Sequence, residues 1–326
     1  MATRAIERDV FYDILKGYAI LLVAWGHSMQ TMLSDWQSNP MLLAIYMFHM
    51  PLFIAISGRF FLSSVKKSST TDFIKRKFLH LYLPSLSWGF LLSVVIFVHK
   101  ILKHKPIDIG YFLNITFTGM WFLTVLFIVS VMGCLIYKNF KEKLRIPAAV
   151  TLLICFYLLP SNIWLSKELS FLAPFFFLSV LLHEYDWKRI PWWIAFVALC
   201  LFIICFNRYT FRSSMYMAIN HYDAQTFYNF MLRLISGSCG IIISSFLISC
   251  IYRLNVFRGG HLEKLGNKTL AVYVLHQKFL LFPKQYLPVS ILTTFIVSII
   301  IIWLSLVTYR LLAWKYFRLF LFGQTQ

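Results

Sequence analysis

Apolar stretches of roughly bilayer-spanning length alternate along the chain with short polar segments. The first is "FYDILKGYAILLVAWGHSMQ". Spans are predicted at 14–33, 41–63, 78–99, 118–137, 147–164, 169–184, 191–206, 230–252, 269–283 and 289–313. That makes about ten, of which the fifth, sixth, seventh and ninth are short or marked by proline. No repeat of fixed period and no low-complexity linker divides the chain. The expected fold is all-α, a polytopic membrane helix bundle forming a single integral-membrane domain over residues 1–326.

Composition agrees with that pattern. Of the residues, 60% are hydrophobic and 13% charged, against about 25% charged in a soluble globular chain. A net charge of +19 raises the question of nucleic acid. The cations, however, sit mainly in the short segments between apolar runs, with no basic stripe interleaved with exposed aromatics, so no nucleic-acid partner is expected. The charge reports topology instead. Twenty of the 31 Lys and Arg fall on the N-terminal side of the predicted layout and eight on the other, with Lys16, Arg59 and Arg233 inside spans. Short basic loops stay cytoplasmic, so both termini are expected in the cytoplasm and membrane lipids are expected around the helices. The six cysteines lie within or at the ends of apolar runs, at spacings of neither a zinc site nor a redox pair. They read as small core residues, and no metal is expected. The polar N-terminus carries no cleavable signal pattern, so the first helix is expected to stay.

Intramembrane ionisable groups normally face a bundle interior or a watery cavity. His27 lies eleven residues after Lys16, which at about 100° per residue is about 20° from three full turns, so both share one helix face. Asp13, Gly17, Ile20 and Ala24 lie on that face too. The second span runs back and carries His49, Pro51, Ser57, Gly58 and Arg59. At about 1.5 Å per residue, His27 and His49 come out nearly level, as do Lys16 and Arg59. Two rungs result: a histidine pair that offers a base near neutral pH, and a cation pair suited to phosphate. The plainer readings are snorkelling for Lys16, an interhelical hydrogen bond for His27, an interfacial anchor for Arg59 and close helix packing for Ser57-Gly58.

"YDILKGYAILLVAWGHS" followed by "FHMPLFIAISGRFF" resembles the integral-membrane acyltransferase family 3, particularly bacterial members that O-acetylate sugars of surface polysaccharides. Lys16 and His27 match that family's first-helix pattern of a cation, ten residues and a histidine. "GMWFLTVLF" at 119–127 and "LGNKTLAVYVLH" at 265–276 are similar to further family segments. The chain departs from the family at an Arg-x-x-Arg pair, where "FIKRKFLHLYLP" has Lys77 and His80 with Arg76 adjacent.

The resemblance implies an O-acetyltransferase in the bacterial cytoplasmic (inner) membrane. Acetyl-CoA would be the acyl-donor co-substrate, and the acceptor a hydroxyl of a surface glycan or its lipid-linked precursor. His27 would be essential, as general base or as carrier of an acyl-imidazole. His49 would assist it or merely pack. Lys16, Arg59, Arg76 and Lys77 would hold the phosphates of coenzyme A. For substrate contacts, Trp121 reads as a sugar platform or a packing residue, Tyr273 and His276 as a wall of the site or an interfacial anchor, and Arg233 as an acceptor contact or a snorkelling cation. The rival class is a transporter with the same polar residues lining a path, against which the chain shows no paired broken helices in corresponding halves.

Overall fold

The computed structural model describes residues 9–106, 108–160, 163–209, 224–254, 260–280 and 290–324. Arg4, Arg8, Arg258 and Lys284, most of the large loop expected at 207–229, and the end of the ninth expected span lie outside the described residues. Among the described residues the fold is all-α and contains no strand. In chain order the helices are α1 (Val10–Met32), α2 (Pro40–Arg59), α3 (Phe61–Lys66), α4 (Thr70–Lys77), α5 (Leu83–Leu102), α6 (Ile109–Thr118), α7 (Trp121–Asn139) and α8 (Glu142–Leu158). They continue as α9 (Ser166–Leu181), α10 (Trp192–Phe206), α11 (Ala224–Arg253), α12 (His261–Gly266), α13 (Thr269–Phe279), α14 (Ile291–Leu312) and α15 (Lys315–Phe322).

Local chemistry sets several of the ends. The Asp9 carboxylate accepts from the Phe11 N–H at 3.2 Å and caps α1. The Asn39 side chain accepts from the N–H groups of Met41 and Leu42, ahead of a helix that opens on Pro40 and continues through Pro51. A π-helical turn at Phe78–Tyr82 joins α4 to α5, making Thr70–Leu102 one helical run of 33 residues.

Among the described residues, five helical runs are long and apolar enough to cross a membrane: Pro40–Lys66, Thr70–Leu102, Trp121–Asn139, Ala224–Arg253 and Ile291–Leu312. The chain is thus a multi-pass membrane protein, and the remaining expected spans are shorter or more polar than a hydropathy pattern suggests. α8, α9, α10 and α13 have 17, 16, 15 and 11 residues. At about 1.5 Å per residue the longest of these reaches only about 26 Å. The fifth segment, expected to run to residue 164, ends as helix at Leu158, just before Pro160. α1 has the length, 23 residues, but Asp13, Lys16, His27 and Gln30 lower its hydropathy. Its Phe11, Ile14, Leu15, Ala19 and Met29 are fully buried, so the helix is surrounded by protein.

The described residues form two compact units. The first comprises Met1–Ile56, Glu184–Ser214 and Met231–Val307, the second Ser57–His183, Met215–Phe230 and Thr308–Gln326. In the first, Phe11, Tyr12, Ile14 and Leu15 of α1 pack with Leu52 and Ala55 of α2, Trp187 and Ile248. α1 and α12 touch backbone to backbone: a Cβ at Gly17 would meet the Leu262 carbonyl, and one at Gly266 the Asp13 carbonyl. In the second unit, Phe61 stacks edge-on against Phe73 and Phe176, and Gly58 lets the Phe176 carbonyl approach, so close packing is what Gly58 does. α6, a stretch where no span was expected, packs on α5 through Gly89 and a 2.9 Å hydrogen bond between Ser93 and Thr116. Trp88 Nε1–H donates to the Leu321 carbonyl at 2.8 Å and ties α15 to α5.

Candidate active site

In the first unit, α1, α2 and α13 bring three histidines into one neighbourhood. The His27 and His276 ring centroids are 5.2 Å apart with the planes inclined at 42°. His49 lies near enough to His27 for the two rings to interact electrostatically, and its own ring faces that of Tyr46 at 5.0 Å. The expected partner His49 is thus within electrostatic reach of His27, while the imidazole in ring contact with His27 is His276.

Burial separates the three. His276 is 1% exposed and His49 is 6% exposed, whereas His27 is partly open. The two buried rings hold their tautomers through their own helices. His49 Nδ1–H donates to the Ile45 carbonyl at 2.9 Å, and His276 Nδ1–H donates to the carbonyls of Val272 and Tyr273 at 3.0 and 2.7 Å. A backbone carbonyl can only accept, so Nε2 of each carries the lone pair. His276 Nε2 is buried and has no hydrogen-bond partner among the described residues. His27 is held differently. Its Nδ1 faces Gln30 Oε1 at 3.1 Å, its Nε2 faces the Gln277 amide nitrogen at 3.3 Å, and Tyr46 donates its hydroxyl to Gln30 Oε1 at 2.8 Å. The arrangement presents a partly accessible imidazole nitrogen beside a side-chain amide donor, as deprotonation of a hydroxyl or attack on a carbonyl requires.

Further along α1, the Lys16 ammonium pairs with the Asp13 carboxylate at 3.0 Å, the lysine side chain 31% and the aspartate 6% exposed. Tyr273 stands beside His276, with ring centroids 6.0 Å apart. Arg233 is buried in α11 instead of snorkelling, and the Tyr209 phenol lies within its electrostatic reach. Burial pushes the Tyr209 hydroxyl well above the ordinary phenol range, with the Arg233 guanidinium opposing that shift.

The other expected site residues belong to the second unit. Arg59 ends α2 and is half-buried. Arg76 is exposed on α4, where one guanidinium nitrogen donates to the Ser64 and Ser68 hydroxyls at 3.1 and 3.2 Å. The Lys77 ammonium sits 5.5 Å from the centre of the Phe73 ring. His80, within the π-helical turn, hydrogen-bonds through Nδ1 to the Gly323 carbonyl. Trp121 opens α7 and packs edge-on against Phe122 at 5.9 Å.

The sequence model of the acyltransferase domain family matches residues 9–310. The chain belongs to that family. It is similar to the nodulation protein NolL of Mesorhizobium japonicum, at 27% identity covering 82% of this chain and 76% of the relative. It is also similar to NolL of Sinorhizobium fredii, at 25% identity covering 83% and 78%. No solved structure matches the chain.

Within this acyltransferase, sequence reading passed over two side chains that contact His27, Gln30 and Gln277, and a third, Tyr46, that contacts Gln30. Gln30 sits three residues after His27 on the same face of α1, a spacing that alone could have flagged it. Tyr46 stands three residues before His49, and Gln277 directly follows His276. A glutamine or tyrosine within an apolar helix carries little signal until a neighbouring helix shows which way it points. The Asp13–Lys16 pair is of the same kind: both residues were on the expected face, but their mutual neutralisation was not anticipated.

Proposed function

We propose that the protein is an O-acetyltransferase that moves an acetyl group from acetyl-CoA to a hydroxyl of a surface glycan or its lipid-linked precursor. It works in the bacterial cytoplasmic membrane with both termini in the cytoplasm. Membership of the acyltransferase family supports the reaction class over the transporter reading. The observation that carries the mechanism is the orientation of His27, whose Nδ1 is tied to Gln30 while Nε2 faces the side chain of the exposed Gln277.

In this reading the acceptor hydroxyl displaces the Gln277 N–H from the single lone pair of His27 Nε2, which accepts its proton as the oxygen attacks the thioester carbonyl. The carbon–oxygen bond forms, the carbon–sulfur bond breaks, and the coenzyme A thiolate leaves and takes up the proton from His27. The Gln277 amide, which faces Nε2 at 3.3 Å before substrate enters, would then donate to the carbonyl oxygen as negative charge builds on it. His276 lies against His27 and Tyr273 against His276, and both serve as acceptor contacts in this reading. Trp121 and Arg233 are the remaining acceptor candidates, and His49 supports the histidine cluster.

For the donor, the exposed Arg76 guanidinium and the neighbouring Lys77 offer the phosphates of coenzyme A a fork and a point charge. Arg59 adds a third cation in the same unit. Lys16 fits the role less directly, because a phosphate must compete with Asp13 for it.

The test uses full-length protein in lipid nanodiscs with acetyl-CoA and a polysaccharide or lipid-linked oligosaccharide acceptor. Free thiol should appear in step with ester-linked acetyl on the acceptor. Substrate accumulation in sealed vesicles without consumption of the thioester would favour the transporter class. An acetylated enzyme trapped in the absence of acceptor would replace direct transfer with an acyl-imidazole route.

A further inference from the structure

We infer that Gln30, braced by Tyr46, is the positioning residue that holds His27 as its Nδ1–H tautomer and so directs Nε2 toward the substrates; this rests on the role proposed for His27. The three histidines of the site are held in two different ways. His49 and His276 each tie Nδ1 to a carbonyl on their own helix, four residues back. His27 instead gives Nδ1 to the Gln30 side chain. A side-chain amide has either of two faces to present, so a glutamine fixes a tautomer only if something else fixes the glutamine.

Tyr46 supplies that constraint from α2. Its hydroxyl meets Gln30 Oε1 at 2.8 Å, and an amide oxygen has two lone pairs, one for the phenol and one for the imidazole N–H. With the oxygen turned inward, His27 Nδ1 must carry the proton. The Gln277 amide reaches the same conclusion from the other side, because its nitrogen faces His27 Nε2 and needs a lone pair there. Two amides on different helices, α1 and α13, thus specify the same tautomer. Tyr46 also packs its ring, tilted by 33°, against that of His49, which keeps it in place while its hydroxyl is engaged. Gly26 completes the fit: a Cβ there would press on the Tyr46 ring, so the glycine admits the tyrosine to the α1 surface.

Two measurements on full-length protein in nanodiscs test this. The first is 15N NMR of histidine-labelled protein, with the His27 resonance assigned by its absence in His27→Ala. The expected result is an Nδ1-protonated, Nε2-bare imidazole. An Nε2-protonated ring in the wild type overturns the inference whatever any variant does. The second compares Gln30→Met, which keeps the side-chain volume and removes the acceptor, with Gln30→Glu, which keeps an acceptor oxygen. Where an imidazole is a metal ligand, losing its outer hydrogen-bond partner costs about 10–100-fold, and the same range is the expected loss for an imidazole that works as a base. Gln30→Met should therefore lower kcat by about that factor with KM for both substrates unchanged, and Gln30→Glu should recover most of it. Tyr46→Phe should fall between wild type and Gln30→Met. A Gln30→Met enzyme with wild-type kcat and an unchanged His27 tautomer, alongside an inactive His27→Ala, overturns the inference and leaves the role of His27 standing. Activity in His27→Ala removes the reading on which the inference rests.

Discussion

Replacing Gly266 with alanine should loosen the protein and disable it together. The added Cβ would land on the Asp13 carbonyl of α1, against its oxygen, carbon and Cα, all of which are backbone. No side chain can swing aside, so α12 and α1 must part by more than an ångström to reach ordinary contact distance. Overpacking of this kind costs about 1–3 kcal/mol, and the absence of any flexible neighbour puts Gly266→Ala at the upper end. For a domain of this size, about 2–4 °C is lost per kcal/mol, so the melting temperature should fall by about 5–10 °C. The effect on turnover is the sharper one. α13 starts three residues after Gly266 and carries His276 and Gln277, while α1 carries His27. A displacement of about 1 Å between reacting groups can cost about 10²-fold in rate. The assay is a fluorescence melt in nanodiscs together with the rate of thiol release at saturating acetyl-CoA. Gly110→Ala serves as control, because a Cβ there meets only the Asp108 carboxylate at 3.2 Å. Wild-type melting and turnover in Gly266→Ala would refute the account of how α1 and α13 are held together.

Three further outcomes follow from particular contacts. Asp13→Asn releases Lys16 from its 3.0 Å ion pair, so KM for acetyl-CoA should fall about two- to fivefold at low ionic strength and return toward wild type in high salt; an unchanged KM removes Lys16 from the donor site. Arg76→Ala should raise KM for acetyl-CoA about tenfold with little change in kcat, and Arg76→Lys should restore only part of it, because a lysine lacks the two-pronged geometry; Michaelis curves for the three enzymes decide this. Trp88→Phe strands the Leu321 carbonyl that the indole N–H now meets at 2.8 Å, so stability should drop by about 1–3 kcal/mol, read as a lower melting temperature, with kcat unaffected.

The site was legible in the sequence where helix periodicity decides geometry. An eleven-residue step puts Lys16 and His27 on one face of any α-helix, and two adjacent antiparallel spans bring His27 and His49 to one neighbourhood. Periodicity does not say which partner a polar group chooses. Asp13 was on the right face, yet only the fold turns its carboxylate to Lys16. Gln30 was at the right spacing, yet Tyr46 from α2 is what turns its oxygen inward. His276 is farther removed still, 249 residues after His27 in the chain, and its ring contact depends on two glycine-mediated approaches between α1 and α12. Individual span limits shift for a related reason. A hydropathy pattern registers apolar residues whether or not the backbone stays helical, so it carries the fifth segment past Pro160 and misses α6, which lies in a stretch with several polar residues.

Transfer of acetyl through His27 is the step on which the proposed function stands. The most direct measurement is mass spectrometry of surface glycans from cells lacking the protein, complemented with wild type or with His27→Ala at matched membrane abundance. The account predicts that wild type restores the mass increment of one acetyl group and that His27→Ala does not. Restoration by both proteins would contradict the histidine-centred mechanism, and a glycan that never changes would contradict the proposed acceptor.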